Sequence, residues 1–170
     1  AGTMDEGGRI AATGTVDSAR LSVILNESFF SVSPPKSLDR NAFSSSLADG
    51  LSLANGAALL TALAAAGVAR AVDILPARID RVIVCGGGRH NPTLIRQIAA
   101  MADVSTEPED RHGWRGDSVE AECFAYLAAR HMAGLPVSHP GTTGVPMAMP
   151  AGRLAAPVPS GRLTGSGDSA

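Results

Sequence analysis

Aromatic residues and cysteines are scarce in this sequence of 170 residues. Aromatics make up 4% of it, and the two cysteines, Cys85 and Cys123, have neither metal-ligand spacing nor the pattern of a disulfide framework. We therefore expect two reduced, buried thiols in a cytoplasmic protein. Alanine and glycine are abundant and 45% of the residues are apolar, which indicates a globular chain whose backbone segments pack closely together.

An excess of positive charge and long apolar runs are lacking too. The net charge is −2 and no cluster of Lys and Arg exceeds two or three residues, which argues against a nucleic-acid partner. We find no signal peptide and no apolar run of spanning length, so no membrane partner is expected. The sequence starts Ala-Gly-Thr and its first methionine is Met4, which suggests a piece of a longer protein.

The common nucleotide and metal motifs are missing, but one stretch has the context of a ligand site. A Walker loop, a dinucleotide fingerprint and a metal quartet are all absent. Residues 82–85 predict a short buried strand, and Gly86, Gly87 and Gly88 then stop it. Asn91 is a good N-cap and Pro92 suits a first helical position, so a helix with a stripe of Leu94, Ile98 and Met101 should follow.

Two interpretations of this glycine turn remain open at about even odds. Its backbone amides and the positive end of the helix dipole would favour a flat or anionic ligand, and His90 beside it could hydrogen-bond that ligand. Alternatively, the turn only connects a strand to a helix.

The remaining pattern predicts an α/β fold. A short helix capped by Asp17 or Thr15 precedes a loop around Pro34-Pro35, and serines 44–46 offer N-caps to a long alanine-rich helix reaching about Ala71. Residues 103–106 could form a second strand, giving a β-α-β unit, and a further helix capped by Asp117 should run to about Ala133. We divide the chain into a helix and loop segment over 1–43, a main domain over 44–159 and a disordered tail over 160–170.

Several polar residues have both a structural and a functional interpretation. Glu120 lies three residues after Asp117, which favours a capping-box arrangement at roughly two to one over a side chain that binds a sugar hydroxyl or water. Trp114, the only tryptophan, stacks on a sugar ring or anchors its own loop with equal weight. Lys36 and Arg40 flank a rigid Pro-Pro turn and suit a phosphate or an acidic sugar, although such cations are more often solvated.

Taken together, these stretches resemble the anhydro-N-acetylmuramic acid kinases, which belong to the sugar kinase/actin/Hsp70 ATPase superfamily. The segments that carry the resemblance cover nearly all of the chain apart from the tail: Gly14-Thr-Val-Asp17, Pro34-Pro-Lys-Ser-Leu-Asp-Arg40, Val84-Cys-Gly-Gly-Gly-Arg-His-Asn-Pro-Thr-Leu94, Gly113-Trp-Arg-Gly-Asp-Ser-Val-Glu-Ala-Glu-Cys-Phe-Ala-Tyr-Leu127, Gly134-Leu-Pro136 and Thr142-Thr-Gly-Val-Pro146. The resemblance implies the C-terminal part of an actin-like, ribonuclease H-like ATPase fold, with a β-α-β-α unit on the nucleotide side and flanking helices.

The activity that the resemblance implies is an ATP- and Mg²⁺-dependent conversion in cell-wall recycling. Such enzymes cleave the 1,6-anhydro ring of anhydro-N-acetylmuramic acid with water and phosphorylate O6, giving N-acetylmuramic acid 6-phosphate and ADP. This chemistry needs a carboxylate to activate water and donors around the phosphates. The implied partners are the sugar and ATP, and the resemblance allows a homodimer.

The resemblance also assigns roles to residues of this sequence. Gly86, Gly87 and Gly88 with Asn91 match the adenosine-side turn of the nucleotide site, beside which His90 lies. Glu120 matches the glutamate that contacts the anhydro sugar or its attacking water, which outweighs the capping interpretation. The residues Lys36, Ser37 and Arg40 match a family motif whose role stays open, and Trp114 remains a candidate for sugar binding.

The departures from the family pattern limit what the chain is expected to do alone. Nothing here matches the family's Asp-Thr-Gly-Pro-Gly-Asn-like motif with its general-base aspartate, and Gly113-Trp-Arg-Gly-Asp117 replaces the more usual Gly-Ile-Pro-Pro-Asp. We expect one wall of an interdomain cleft, without a metal ligand, that does not catalyse the reaction by itself. The alternatives are a non-catalytic sugar- or nucleotide-binding module of the same fold and a purely structural dimer half.

Overall fold

The computed structural model describes residues 4–155, apart from the side chain of Arg40. Its α-helices and strands follow in the order α1 Arg9–Thr13, α2 Ser18–Leu25, α3 Ser28–Ser31, α4 Leu53–Ile74, β1 Arg81–Val84, α5 Pro92–Ala102, β2 Ser105–Pro108, α6 Val119–Met132 and α7 Pro140–Thr143. Short 3₁₀ turns lie between several of them. The mixture of helices with a small parallel sheet confirms the α/β class.

The long helix α4 begins later than the sequence predicted. Ser52 is its N-cap and its hydroxyl accepts a hydrogen bond from the backbone amide of Asn55 at 3.2 Å. The prediction that serines 44–46 cap this helix was wrong, because Ser44 instead caps the separate 3₁₀ turn Ser45–Ala48. Several serines in one stretch can each cap a turn, so their number alone did not identify the start.

Helix α4 is the centre of the hydrophobic core. Leu59 and Leu63 are buried on it and pack with Ile24 of α2. Gly56 and Gly67 do not break the helix: a Cβ at Gly56 would meet Ala48 at 3.2 Å, and one at Gly67 would meet Phe30 at 4.0 Å. Alanine and glycine on the buried side let neighbouring segments approach closely, as the composition predicted.

The expectation that no apolar run reaches spanning length was wrong. Helix α4 has 22 residues and a mean hydropathy of 1.6 in its most apolar window, which is long and apolar enough to cross a membrane by length and composition. The core helix of a globular protein meets the same criterion. Here α4 contacts α1, α2 and α5, and eight of its residues are buried.

The predicted β-α-β unit is confirmed, although its strands lie at Arg81–Val84 and Ser105–Pro108 and not at the predicted 82–85 and 103–106. Strands β1 and β2 pair in parallel with Arg81 opposite Ser105 and Val84 opposite Pro108, and α5 connects them. Helix α5 packs on α4, so the crossover helix joins the small sheet to the core. The turn from α5 to β2 passes through Asp103 in the left-handed conformation, at φ 51°.

Two expectations about burial were wrong. Cys85 and Cys123 are both exposed, because Cys85 follows the last paired residue of β1 and α6 buries none of its residues. Met101 of α5 is 41% exposed, so the core-facing stripe of this helix ends at Ile98, which is 3% exposed. The spacing of apolar residues predicted which face of α5 points to the core. It did not predict that the elements packed on α5 leave Met101, near the end of the helix, exposed.

The N-terminal helices connect to the same core. Asp17 caps α2 as predicted and accepts from the amide of Arg20 at 2.9 Å. Before α1, the carboxylate of Asp5 accepts from the amides of Ala11 at 2.9 Å and Ile10 at 2.8 Å. These two backbone hydrogen bonds, with that of Ala11 the larger cause, lower the pKa of Asp5.

Helix α6 buries none of its residues. Its apolar side chains include Phe124 at 64% exposure and Met132 at 68%. The divisions at residues 43 and 159 stay predictions, and the predicted tail over 160–170 lies outside the described residues.

Candidate functional site

The glycine turn lies at the carboxyl end of β1 and leads into α5, as the sequence predicted. Gly86 has φ 69° and ψ −166°, a backbone conformation that residues with a side chain rarely adopt. A 3₁₀ turn over Gly87–His90 follows, and the side chain of Asn91 accepts from the amide of Leu94 at 2.9 Å. The strand therefore ends and the helix begins within a few residues, with Asn91 as the cap.

The space around the turn shows which glycines the fold itself requires. A Cβ on Gly87 would meet nothing within 4 Å, and its φ is not in the left-handed range. A Cβ on Gly88 would make only ordinary contacts, the nearest to Leu94 at 3.6 Å. The fold thus explains Gly86 by its conformation but gives no steric reason for Gly87. Open space beside a bare backbone is suited to a ligand that approaches closely.

His90 and Thr93 flank the turn differently. The imidazole of His90 is exposed, whereas Thr93 is buried and donates from its hydroxyl to the carbonyl of Gly8 at 3.0 Å. Through Thr93 the first turn of α5 is fixed to the N-terminal segment. His90 is free of such a contact among the described residues and remains available to the turn.

Arg89 is the electrostatic centre of this region. Its side chain is only 5% exposed, and its Nη1 donates to the carbonyl of Gly86 at 3.1 Å. Its Nε donates to Asp110 at 3.3 Å and lies 3.2 Å from Glu109, while Nη2 donates to Asp117 at 2.5 Å. One guanidinium thus connects the glycine turn with the segment after β2 and with Asp117, two residues before α6.

Glu109 and Gly116 enclose this guanidinium. Glu109 is fully buried, and its carboxylate oxygens have no hydrogen-bond donor among the described residues, so its contact with Arg89 is one of charge. A Cβ on Gly116 would collide with the Glu109 carboxylate and would lie 2.5 Å from Nε of Arg89. Position 116 therefore requires glycine because the backbone passes directly over the buried ion pair.

The charges in this cluster stabilise each other. The hydrogen bond to Asp117, followed by the charges of Asp117 and Glu109, raises the pKa of Arg89 against the effect of burial. The same hydrogen bond and the charge of Arg89 lower the pKa of Asp117. Both shifts favour the charged forms of Arg89 and Asp117.

Two predictions about the start of α6 were wrong. Asp117 does not cap the helix: the N-cap is Ser118, which makes no capping hydrogen bond with its side chain, and Asp117 pairs with Arg89. Glu120 is exposed and makes no hydrogen bond within the described part of the chain, so the capping box is absent. A buried arginine competes for Asp117 more strongly than helix amides do. Glu120 is left free for another role.

Trp114 lines a shallow hollow next to this cluster. The hollow has a volume of about 390 Å³ and is formed by Gly113, Trp114, Arg115, Val119 and Glu122. Trp114 is 51% exposed, and its ring centroid lies 6.1 Å from that of His112. Arg115 pairs with Glu122 across the hollow. Glu120 is on the same first turn of α6 but does not line it.

The Pro-Pro loop lies apart from the glycine turn. Lys36, the chain's only lysine, donates from Nζ to the carbonyl of Phe29 at 2.7 Å and lies 4.7 Å from the ring centroid of the same residue. It contributes to an apolar groove of about 740 Å³ along α4. Ser37 is exposed. Among the described side chains, neither Lys36 nor Ser37 makes a hydrogen bond or ion pair with the glycine turn.

Sequence analysis missed Arg89, Glu109 and Gly116. An arginine directly after three glycines resembles a solvated turn residue, and its acidic partners follow 20, 21 and 28 positions later. No local pattern joins residues at such separations. The available signal was Gly116 within a charged loop, since glycine between Arg115 and Asp117 suggests a close backbone approach.

Comparison with known proteins gives the chain a family. It matches the family described as AnmK: Anhydro-N-acetylmuramic acid kinase over residues 2–156. The chain belongs to the anhydro-N-acetylmuramic acid kinase family. The resemblance carried by the glycine turn and the loop before α6 is thus confirmed at the level of the family.

Curated relatives agree with this membership. The chain is 51% identical over 154 residues to the anhydro-N-acetylmuramic acid kinase of Rhizobium rhizogenes, covering 91% of this chain and 42% of the relative. It is 49% identical over 154 residues to that of Mesorhizobium japonicum, with the same coverage of both chains. The corresponding kinase of Caulobacter vibrioides is 49% identical over 153 residues, which are 90% of this chain and 41% of that protein.

The chain therefore spans about two-fifths of the length of the kinases that it matches. These matches do not support the expectation that the chain is the C-terminal half of such a kinase. The covered fraction, 42% of the relative, does not say which part of the relative is matched.

Proposed function

We propose that this chain is part of an ATP-dependent anhydro-N-acetylmuramic acid kinase. The observation that supports this proposal is family membership over residues 2–156, together with sequence identities of 51% and 49% to two proteins named as these kinases. In the proposed reaction, water adds to the anomeric carbon, the bond from that carbon to O6 breaks, and O6 takes the γ-phosphoryl group of ATP. The products are N-acetylmuramic acid 6-phosphate and ADP.

The glycine turn is the proposed contact with the adenosine side of ATP. Gly86 ends the strand in a backbone conformation that favours glycine. The empty space at Gly87 lets a flat ring or a ribose approach the backbone. Asn91 and His90 flank this space. A parallel strand followed by a turn and a helix suits a nucleotide at the carboxyl end of the sheet, as expected for an actin-like ATPase fold.

The loop before α6 is the proposed sugar side. Glu120 is exposed and unpaired within the described residues, so its carboxylate is available to accept a proton from water or a hydrogen bond from the sugar. Trp114 offers a half-exposed ring for stacking. Lys36, Ser37 and Arg40 remain candidates for substrate binding. The carbonyl contact of Lys36 makes it the least available of the side chains that the structure describes.

Mg²⁺ is the metal that phosphoryl transfer from ATP normally employs. Within residues 4–155, no three His, Cys, Asp or Glu side chains form a group that could hold a metal ion. A cage of three or more such side chains is therefore absent from the described residues, whereas Mg²⁺ at phosphate sites usually needs only one or two carboxylates beside the phosphates.

We further propose that the 170 residues alone do not catalyse the reaction, since they span 42% of a relative and contain no Asp-Thr-Gly-Pro-Gly-Asn-like motif. A cytoplasmic location and a homodimer stay predictions. ATP-dependent formation of the sugar phosphate by this chain, at a rate comparable to intact family members, would overturn the proposal of inactivity.

Thermal unfolding with and without Mg-ATP tests the nucleotide site. A ligand that binds the native state raises the unfolding midpoint. Gly87→Ala is the informative variant, because its methyl group meets no protein atom and should leave the ligand-free midpoint unchanged while reducing the rise with Mg-ATP. The matched control is Gly141→Ala, whose methyl group also meets nothing within 4 Å and which lies outside the turn. An equal rise in both variants would contradict a nucleotide at Gly87.

The sugar arm of the same experiment separates the alternatives. A rise with 1,6-anhydro-N-acetylmuramic acid that Glu120→Gln abolishes supports the kinase assignment of that carboxylate. Binding of either ligand by the chain, with no activity when the remaining part of the enzyme is supplied, would favour a non-catalytic binding module. An unfolding midpoint that rises with neither ligand would favour the alternative of a purely structural dimer half.

A further inference from the structure

We propose that Arg89 is a positioning residue that locks the glycine turn to the loop 113–117, here called the Trp loop. Because one guanidinium holds both segments, occupation of the turn changes the surroundings of Trp114. The lock itself follows from the contacts in the structure, whereas its response to a nucleotide rests on the proposed function.

The contacts of Arg89 point in two directions. On one side the guanidinium donates to the carbonyl of Gly86, the residue whose unusual conformation forms the turn. On the other side it donates to Asp117, the last residue of the Trp loop, and to Asp110, which precedes the loop. These partners lie 21 and 28 positions from Arg89 along the chain. The connection between the segments is therefore tertiary.

The Arg89 end of this connection is buried, whereas the carboxylates of Asp110 and Asp117 are largely exposed. The Arg89 side chain is 5% exposed and that of Glu109 is 0% exposed, so water does not replace the contacts between them. Gly116 of the Trp loop covers the pair so closely that a single methyl group there would collide with both. The backbone of the Trp loop therefore lies directly against the buried ion pair, and we propose that the two move together.

Lysine would not provide the same connection. The planar guanidinium has five donors in a fixed fork and uses Nε, Nη1 and Nη2 for different partners here. A single ammonium on a flexible stem keeps the charge beside Glu109 but cannot span Gly86 and Asp117 together. Arg89→Lys thus separates the positioning role from the need to balance a buried carboxylate.

Trp114 gives a direct measurement of the lock, since it is the only tryptophan in the sequence. The first test uses no ligand: quenching of Trp114 by acrylamide and trypsin cleavage after Arg115 are followed in the wild type, Arg89→Lys and Asp117→Asn. Asp117 is an exposed carboxylate, so its variant should fold even if the Arg89 variant does not. Arg111→Lys is the control, because Arg111 is 71% exposed in the adjoining turn and keeps a trypsin site.

We expect cleavage after Arg115 to become about two- to fivefold faster in Asp117→Asn, the size that loss of one partly exposed ion pair produces in a local opening equilibrium. Arg89→Lys should exceed this, with increased quenching of Trp114, and Arg111→Lys should match the wild type. Unchanged cleavage and quenching in a cooperatively folded Asp117→Asn variant would overturn the lock.

The second test adds Mg-ATP and measures the unfolding midpoint and Trp114 fluorescence together. We expect both to change in the wild type, and Arg89→Lys to keep the midpoint rise while losing the fluorescence change. A midpoint rise with no change at Trp114, or the same fluorescence change in Arg89→Lys, would overturn the coupling. Absence of any midpoint rise would instead contradict the proposed nucleotide site, leaving the lock to be decided by the first test.

Discussion

At the scale of single residues, glycine occupies different positions of this chain for different structural reasons. Gly86 follows from its backbone conformation and Gly116 from the ion pair beneath it, whereas the fold gives no steric reason for Gly87. In the sequence, Gly86 and Gly87 stand in a run of three glycines and Gly116 stands alone, and this pattern does not show why each is glycine. Only the surrounding atoms show which position tolerates a methyl group.

Gly116→Ala should therefore destabilise the chain strongly. The added methyl group collides with Glu109 and Arg89, which are buried and cannot move into solvent. We expect a loss of about 1–3 kcal/mol or more in the free energy of unfolding, as for overpacking of a rigid site. Urea denaturation measures it, with Gly87→Ala as the matched control. A loss below about 0.5 kcal/mol would show that the backbone over the ion pair is free to shift.

Acid should weaken the fold through Asp5 and Asp117. The pKa of each is lowered, by the amides of Ala11 and Ile10 for Asp5 and by Arg89 for Asp117. The folded state therefore binds fewer protons than the unfolded state, so stability is present above the ordinary aspartate pKa of about 3.9 and is lost as the pH falls through the lowered values.

Thermal unfolding between neutral pH and pH 3 tests this sign. Asp117→Asn should show a shallower loss of midpoint in acid than the wild type, because one of the two carboxylates with a lowered pKa has been removed. Asp80→Asn, at a carboxylate 81% exposed, is the control and should follow the wild type. A midpoint that rises as the pH falls would contradict the assigned direction of both pKa values.

At the scale of elements, α4 decides whether the rest of the chain assembles. It packs with α1, α2 and α5, and through α5 it supports the glycine turn. Leu59 is 0% exposed at the middle of this contact surface, whereas Leu53 at the start of the same helix is 74% exposed. The two leucines share a residue type and a helix but not an environment.

Leu59→Ala should cost about 2–5 kcal/mol in the free energy of unfolding, because it removes buried methyl groups and leaves a cavity. Leu53→Ala should stay within about 0.5 kcal/mol of the wild type. Denaturant titration of the two variants gives the comparison directly. Equal losses would show that the exposed end of α4 is buried in solution or that its core contact is loose.

At the scale of the whole molecule, the described chain leaves surfaces that parts of a larger enzyme commonly cover. Within residues 4–155 the sheet has two strands, although parallel sheets are normally covered on both faces, and α6 exposes Phe124 and Tyr126. This matches a chain that spans 42% of its relatives.

Phe124→Ser should consequently leave the stability of this chain within about 0.5 kcal/mol, since the ring is 64% exposed. The same substitution in a full-length relative should cost more if the remainder of that enzyme covers α6. Comparing urea midpoints in both contexts tests this. A large loss in the short chain would show that α6 is covered by another copy or another segment.

The sequence by itself determined the local elements and the family. Periodicity, Asp17, Asn91 and Pro92 predicted α2, β1 and α5, because caps and turns depend on neighbouring residues. The motifs around the glycine turn led to the kinase family. Predictions failed where several partners compete for one group or several residues could cap one helix. Asp117 pairs with the distant Arg89 and does not cap α6, and Ser52 caps α4 in place of the serines at 44–46.

Only the tertiary structure decided what is buried and which charges meet. Glu109 lies 20 positions and Asp117 lies 28 positions after Arg89 in the sequence. No local sequence pattern predicts that these three residues come together. Burial of Cys85 and Cys123 was likewise predicted from residue type, whereas exposure depends on which elements pack nearby. Backbone conformation is set largely by adjacent residues, but burial and ion pairing are properties of the assembled chain.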